Sequence, residues 1–380
     1  MPHPLIWAEI DLGAIAHNVR ELRRITDPNA QLLIAVKANG YGHGAVEVAR
    51  TALDHGADQL GVARLEEGVA LRRAGIDAPI LVMGFTPAEK ADQLIEHNLM
   101  PAVYSMKNAA NLAAAAKAMN RTLTFHIKVD SGMGRLGVPC RDLRLDDSGR
   151  AGDDITAMTR LSGLELQGVF THFATADHAD KDFARLQFCR FERLLADLSS
   201  AGVTVPVRHA ANSAAIIDMP ETHLDMVRAG ISVYGLYPSA DVDQGRIDLR
   251  PALQLKARII HLKRVPAGTK ISYGGTYETT APATIATVPV GYGDGYSRLL
   301  SNRGQMLVGG KRAPIVGRVC MDLTMLNVSH IEAAAMGDEV VLIGCQGDER
   351  ISADEVAAQL DTINYEVVTA LMARVPRVYK

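Results

Sequence analysis

"KDFARLQFCRFERLLADLSSAGVTVPVRHA", residues 181–210, carries a helix, a stop and a strand in one continuous stretch. Phe183, Leu186, Phe191, Leu194, Leu195 and Leu198 recur at helical spacing and predict one apolar face. Gly202 then ends the helix, because glycine adopts the left-handed conformation that satisfies the last carbonyls. The next segment, "VPVRHA", is short, apolar and rich in β-branched residues, as a buried strand requires. The same order of helix end, glycine and strand recurs in "DHGADQLGV" (54–62) and "RRAGIDAPILV" (72–82).

On either side of this stretch, strands are expected at "LLIAV" (32–36), "QLGVA" (59–63), "PILVMG" (79–84), "MPAVY" (100–104), "LTFHIKV" (123–129), "LELQGVFTH" (164–172), "VPVRHA" (205–210) and "DMVRAG" (225–230). Strands alternating with helices predict a (β/α)8 TIM-type barrel, with a doubly wound open sheet as the competing arrangement. Beyond about residue 240 the texture changes to strands separated by Gly/Pro turns. Only "SADEVAAQL" reads as a helix there, and Ser352 and Glu355 are placed to form a capping box. The expected organisation is a barrel over residues 1–240 and a β-rich C-terminal domain over 241–380. Residues 1–11, which include the strand-like "LIWAEIDL", can pair with the second domain instead.

Composition narrows the function classes. A net charge of −3 lacks the basic excess of a nucleic-acid surface. No apolar stretch approaches the length of a membrane span, and the N-terminus has neither part of a signal peptide. Four dispersed cysteines without a CxxC pair fit a reducing cytoplasm and no zinc framework.

Barrel active sites lie at the C-terminal ends of the strands. The first strand delivers Lys37 and then Tyr41; the fifth delivers Lys128 and, through "DSGMGR", Arg135. The sixth ends on His172, the seventh on His209 and "ANS", the eighth on Arg228 and "AGI". "GMGRLG" (132–137) matches GxGxxG, but Pro139 opposes the helix start that a dinucleotide site requires. His172, Asp177, His178 and Asp180 match no zinc spacing and read as a solvated loop. The small-residue segments "ANSAA" and "RAGIS" suit a phosphate held by backbone N–H groups. A buried lysine, a phosphate cradle and an arginine together point to pyridoxal phosphate. That cofactor needs a Schiff-base lysine, an anion anchor and a partner for its ring nitrogen.

In order along the chain, "AVKANGYGHG", "KVDSGMGRLG", "THFATAD", "HAANSAA", "DMVRAGISVYG", "SYGGTY", "PVGYGDGY", "GRVCMD" and "RVPRVY" resemble the bacterial alanine racemases. The resemblance implies that Lys37 carries pyridoxal 5'-phosphate and that the glycines after it fold the loop against the cofactor. It implies that Tyr41, Ser213, Gly230, Ile231 and Tyr365 hold the phosphate. Arg228 would meet the pyridine nitrogen, and Arg135 the phenolic oxygen and the substrate carboxylate. Lys128, N-carboxylated in many relatives, would position Arg135. Met321 and Asp322 would meet the substrate, and Tyr292 would line the entrance. Lys37 and Tyr273 would be the two bases, with His172 and Arg228 supporting Tyr273. The implied enzyme interconverts L- and D-alanine for peptidoglycan, as a cytoplasmic head-to-tail homodimer. A broader small-amino-acid or serine racemase, a same-fold decarboxylase and a non-catalytic cofactor carrier are the alternatives.

Overall fold

The structure, a computed structural model, describes residues 4–140 and 151–380. The chain divides into two compact units. One comprises Ala14–Gly40 and Ala45–Pro251; the other comprises Met1–Gly13, Tyr41–Gly44 and Ala252–Lys380.

The first unit is the expected eight-stranded parallel barrel. Gln31–Ala35, Gln59–Val62, Ile80–Val82, Met100–Val103, Leu123–Asp130, Leu164–Phe170 and Val207–His209 pair in that order, and Met226–Ala229 returns to pair with Gln31–Ala35. Backbone bonds from Asp225 N to Arg208 O (3.1 Å) and from Arg228 N to Ala211 O (3.0 Å) bring the seventh and eighth strands together. The three helix-stopping glycines adopt the left-handed conformation, with φ of +113° at Gly56, +82° at Gly75 and +77° at Gly202.

The helix Asp182–Ser200 is rotated from its expected face. Phe183 and Leu186 are exposed, and the buried stripe runs through Ala184, Gln187, Phe188, Phe191, Leu194 and Leu198. Gln187 is the reason. Its amide donates to His172 O (3.1 Å) and accepts from Ala174 N (2.8 Å), so a polar residue occupies the inward position. Burial of an amide is tolerable when both ends are bonded.

The second unit is β-rich. Ile6–Ile10 lies between Leu253–Arg258, which it pairs antiparallel, and Arg377–Tyr379, which it pairs parallel. Residues 1–3 of the opening segment lie outside the described residues. Glu339–Gln346 and Gln305–Val308 extend this sheet, and His261–Val265, Ala283–Val288 and Thr324–Asn327 form a smaller one. Besides Ala353–Leu360 there is a second helix here, Asn364–Thr369, too short and too β-branched to show as a helical period. The capping box is half made. Ser352 Oγ accepts from Glu355 N (3.0 Å), but the Glu355 carboxylate pairs with Arg312 (2.5 Å) instead of turning back.

Residues 41–44 belong to the β-rich unit, and this explains their glycines. A Cβ on Gly42, whose φ is +86°, would stand 2.1 Å from Val368 O; one on Gly44 would stand 1.9 Å from the Tyr379 hydroxyl. The chain's own backbone and side chains impose the absence of side chains there. Gly42→Ala is therefore expected to destabilise the protein by about 2–4 kcal/mol in urea unfolding, strain and overpacking combined. Gly75→Ala is the control: its φ is +82°, but nothing lies within 4 Å of the added Cβ. It should cost about 1 kcal/mol. Equal losses would contradict the steric account.

Candidate active site

Lys37 stands two residues past the first barrel strand, at the start of a left-handed turn. Ala38, Asn39 and Gly40 have φ of +52°, +53° and +61°, and Gly40 N donates to Val36 O at 2.8 Å. Each non-glycine residue in this region costs about 1–2 kcal/mol, less for asparagine. Such strain persists where neighbours over-determine it. The buried Tyr234 hydroxyl donates to Ala35 O (2.9 Å) and pins the strand end. Glu67 accepts from Ala38 N (2.6 Å) and also from Ala63 N and Arg64 N, which anchors the turn to the start of the helix Leu65–Arg73. Sequence reasoning missed both residues, since neither lies near Lys37 in the chain.

Lys37 is half-buried, and burial lowers its amine pKa from the usual lysine value. The Arg135 charge adds to that shift, and Glu67 opposes it. Lys128, on the fifth strand, is buried and pushed down to about 8, first by desolvation and then by Arg135, Arg228 and Lys37. Four basic side chains thus converge, and a lysine amine is the group that yields its proton first.

Arg228 is buried and meets no carboxylate among the described residues. Its Nη2 donates to Thr171 O (2.7 Å) and Ala210 O (2.8 Å), with His172 Nδ1 at 3.3 Å; its Nη1 lies 3.2 Å from His209 Nδ1. Burial lowers its pKa to about 9, so it stays charged at neutral pH. His172 and His209 are held well below the ordinary histidine pKa, by burial first and the Arg228 charge second. Nε–H and one Nη1–H of Arg228 remain without an acceptor among the described residues.

At the seventh and eighth strand ends, Gly230 N donates to Ser213 Oγ at 2.7 Å, which leaves the Ser213 proton to donate. The turn Ile231–Tyr234 makes its first bond from Val233 N to Gly230 O, so the N–H groups of Ile231 and Ser232 have no acceptor within it. Arg135 lies exposed on the loop after the fifth strand. Asp130 Oδ1 shapes that loop by accepting from Gly132 N and Gly134 N.

In the β-rich unit Tyr41 is buried, with its ring centroid 6.3 Å from that of Tyr365. Tyr273 is 72% exposed on a tight turn after Ser272, itself at φ +65°. Met321 is 54% exposed, and its carbonyl accepts from Gly293 N. Arg374 bridges Asp322 (2.7 Å) and Asp294 (2.7 Å), and Asp294 in turn accepts from Gly291 N. That bridge fixes the Tyr292 and Met321 loops against each other. The sequence-predicted residues therefore form two sets, one in each unit.

Residues 10–238 match the family model "Alanine racemase, N-terminal domain", and residues 252–379 match "Alanine racemase, C-terminal domain". The chain belongs to the alanine racemase family. It is 54% identical over 377 residues to the alanine racemase of Desulfosudis oleivorans, covering 98% of this chain and 96% of that one. It is 51% identical over 374 residues to that of Desulforamulus reducens, with 98% of each covered. Among solved structures, the alanine racemase of Clostridium difficile 630 aligns with a TM-score of 0.93 at 39% identity, covering 100% of this chain and 97% of that one. The chain is an amino-acid racemase.

Within this alanine racemase family member, the crowding at Lys128 has a thermodynamic signature. The folded chain releases the Lys128 proton near pH 8, whereas an unfolded lysine keeps it to about 10.5. In that window the unfolded state binds more protons, so stability rises with pH. In carbonate-free buffer, which keeps the amine unmodified, native stability should gain on the order of 2 kcal/mol relative to Lys128→Met between pH 8 and 10.5. Parallel stability curves would contradict it.

Proposed function

We propose that the chain interconverts L- and D-alanine with pyridoxal 5'-phosphate attached at Lys37. The observation that carries this reading is Arg228: a buried guanidinium with spare N–H donors and no carboxylate beside it among the described residues. A decarboxylase of this fold would be expected to present a carboxylate to the ring nitrogen, which favours protonation there. A guanidinium does not readily give up its proton, so it keeps that nitrogen unprotonated and restrains side reactions. A single-barrel carrier would have no need of residues 241–380.

The donors present fit the cofactor. Ser213 Oγ–H and the N–H groups of Ile231 and Ser232 suit a phosphate; Gly230 contributes by lacking a side chain, its own N–H being taken by Ser213. Tyr41 and Tyr365 are assigned to the same phosphate. When bound, the cofactor supplies a conjugated ring that takes up the electron pair left as a substrate α-proton departs. Lys37, with its lowered pKa, takes and returns that proton on the face serving the D-enantiomer. Tyr273 does so on the face serving the L-enantiomer. A tyrosine needs help to act as a base near neutral pH. His172 gives it: with Nδ1 turned to Arg228, its proton sits on Nε2 and can donate to a phenolate oxygen.

Arg135 and the Met321 N–H are assigned to the substrate carboxylate, with Asp322 beside them and Tyr292 at the entrance. Lys128 supports Arg135. With its amine partly neutral near pH 8, Lys128 can take up carbon dioxide, and the resulting carbamate would lie among cations. The reading places the enzyme in the cytoplasm, making D-alanine for peptidoglycan.

The exposure of Tyr273, Met321 and Tyr292 supports a head-to-tail homodimer in which each barrel receives these residues from its partner. Refolding Lys37→Ala together with Tyr273→Phe tests activity and assembly at once. Each mixed dimer has one site with both defects and one with neither, and about half the dimers are mixed. About a quarter of native alanine racemisation should return. No return despite mixed dimers shown by mass would mean that each chain completes its own site.

A further inference from the structure

The barrel interior below Arg228 holds a buried histidine that the proposed reaction does not use. His126, on the fifth strand, shares the inward face with Lys128, two residues deeper. Its Nδ1 lies 3.0 Å from His209 Nε2, and the two rings meet edge-on at 86°. His209 is on the seventh strand, so His126 reaches across the sixth to meet it. Gly168 makes that crossing possible. It is the sixth-strand residue in register with His126, and a Cβ there would stand 2.6 Å from His126 Nδ1. The φ of Gly168 lies outside the left-handed range, so this close approach, with that of Val207 O, accounts for the glycine. Phe170, next on the same face of the sixth strand, stacks on the His209 ring at 4.8 Å and 18°, and fixes its plane.

One fact sets the direction of every bond in this relay. Guanidinium only donates. His209 Nδ1 must therefore accept from Arg228, which puts the His209 proton on Nε2. That proton points to His126 Nδ1, which must accept it, and the His126 proton falls on Nε2. His126 Nε2 has no partner among the described residues. Leaving one buried donor unmatched is the cost of orienting the His209 ring.

We infer that His126 is a positioning residue: by accepting from His209 Nε2–H, it locks the tautomer that lets His209 hold the Arg228 guanidinium in place. Without that acceptor, His209 can move its proton to Nδ1. Two donors would then face each other across 3.2 Å, and Arg228 would be displaced. The inference rests on the role proposed for Arg228, but its first readout does not.

His126→Leu removes the acceptor at similar size, whereas His126→Asn keeps an oxygen at the position of Nδ1. Nitrogen-15 NMR of holoenzyme with labelled histidine reports which His209 ring nitrogen carries the proton. Native protein and His126→Asn should show Nδ1 unprotonated; His126→Leu should show it protonated in part or fully. Alanine racemisation should fall by about tenfold in His126→Leu and recover to within about twofold in His126→Asn. Gly168→Ala, which pushes the His126 ring away, should match His126→Leu in both readouts. An unchanged His209 tautomer in His126→Leu overturns the inference, as does an Asn variant no better than Leu. A shifted tautomer with undiminished racemisation overturns the positioning role alone, because Thr171 O and Ala210 O would then suffice to hold Arg228.

Discussion

The site depends on one buried cation that no carboxylate among the described residues neutralises. Arg228 sits inside the barrel with two carbonyls and two imidazoles as its partners. A guanidinium in that position helps burial to keep the neighbouring imidazoles neutral: His126, His172 and His209 all have lowered pKa values, with its charge second to burial. It adds to the lowering at Lys128. It also dictates which nitrogen of each partner ring holds a proton. A carboxylate beside it would cancel the charge part of these shifts and leave the larger part, which comes from burial.

A second constraint acts at Lys37. The chain leaves the barrel through a left-handed turn, contributes Tyr41–Gly44 to the β-rich unit, and re-enters the barrel at Ala45. Strain at Ala38 and Asn39 is offset by fixed acceptors, Glu67 for the Ala38 N–H and Val36 O for the Gly40 N–H. Lys37 is thus set at the start of a braced turn, which would suit the amine role proposed for it.

Much of this was legible in the chain because it is local. The eight barrel strands and their glycine stops follow from periodicity and φ preference, which need no knowledge of distant residues. The placement of Lys37, Arg135, Ser213 and Arg228 at or just beyond the barrel strand ends was legible because barrel topology sends those ends to one side. Non-local features were not. Gln187 rotates its helix through bonds to a loop thirteen and fifteen residues earlier. Tyr234 pins a strand end 199 residues away. The resemblance ties the glycines after Lys37 to the cofactor; at Gly42 and Gly44, Val368 O and the Tyr379 hydroxyl already exclude a side chain. His126 read as an ordinary strand residue, because its meaning lies in the side chain that Gly168 lacks.

Two different residues of this chain are assigned to the two faces of one α-carbon, and the whole mechanism stands or falls on that division. Hydrogen exchange at that carbon in deuterated water, followed separately for each enantiomer, puts it to the test. Native enzyme should exchange both. Tyr273→Phe should still exchange D-alanine at close to the native initial rate, while L-alanine exchange falls by about 10²–10⁴-fold. Equal losses for both enantiomers, or a loss confined to D-alanine, would contradict the assignment of Lys37 and Tyr273.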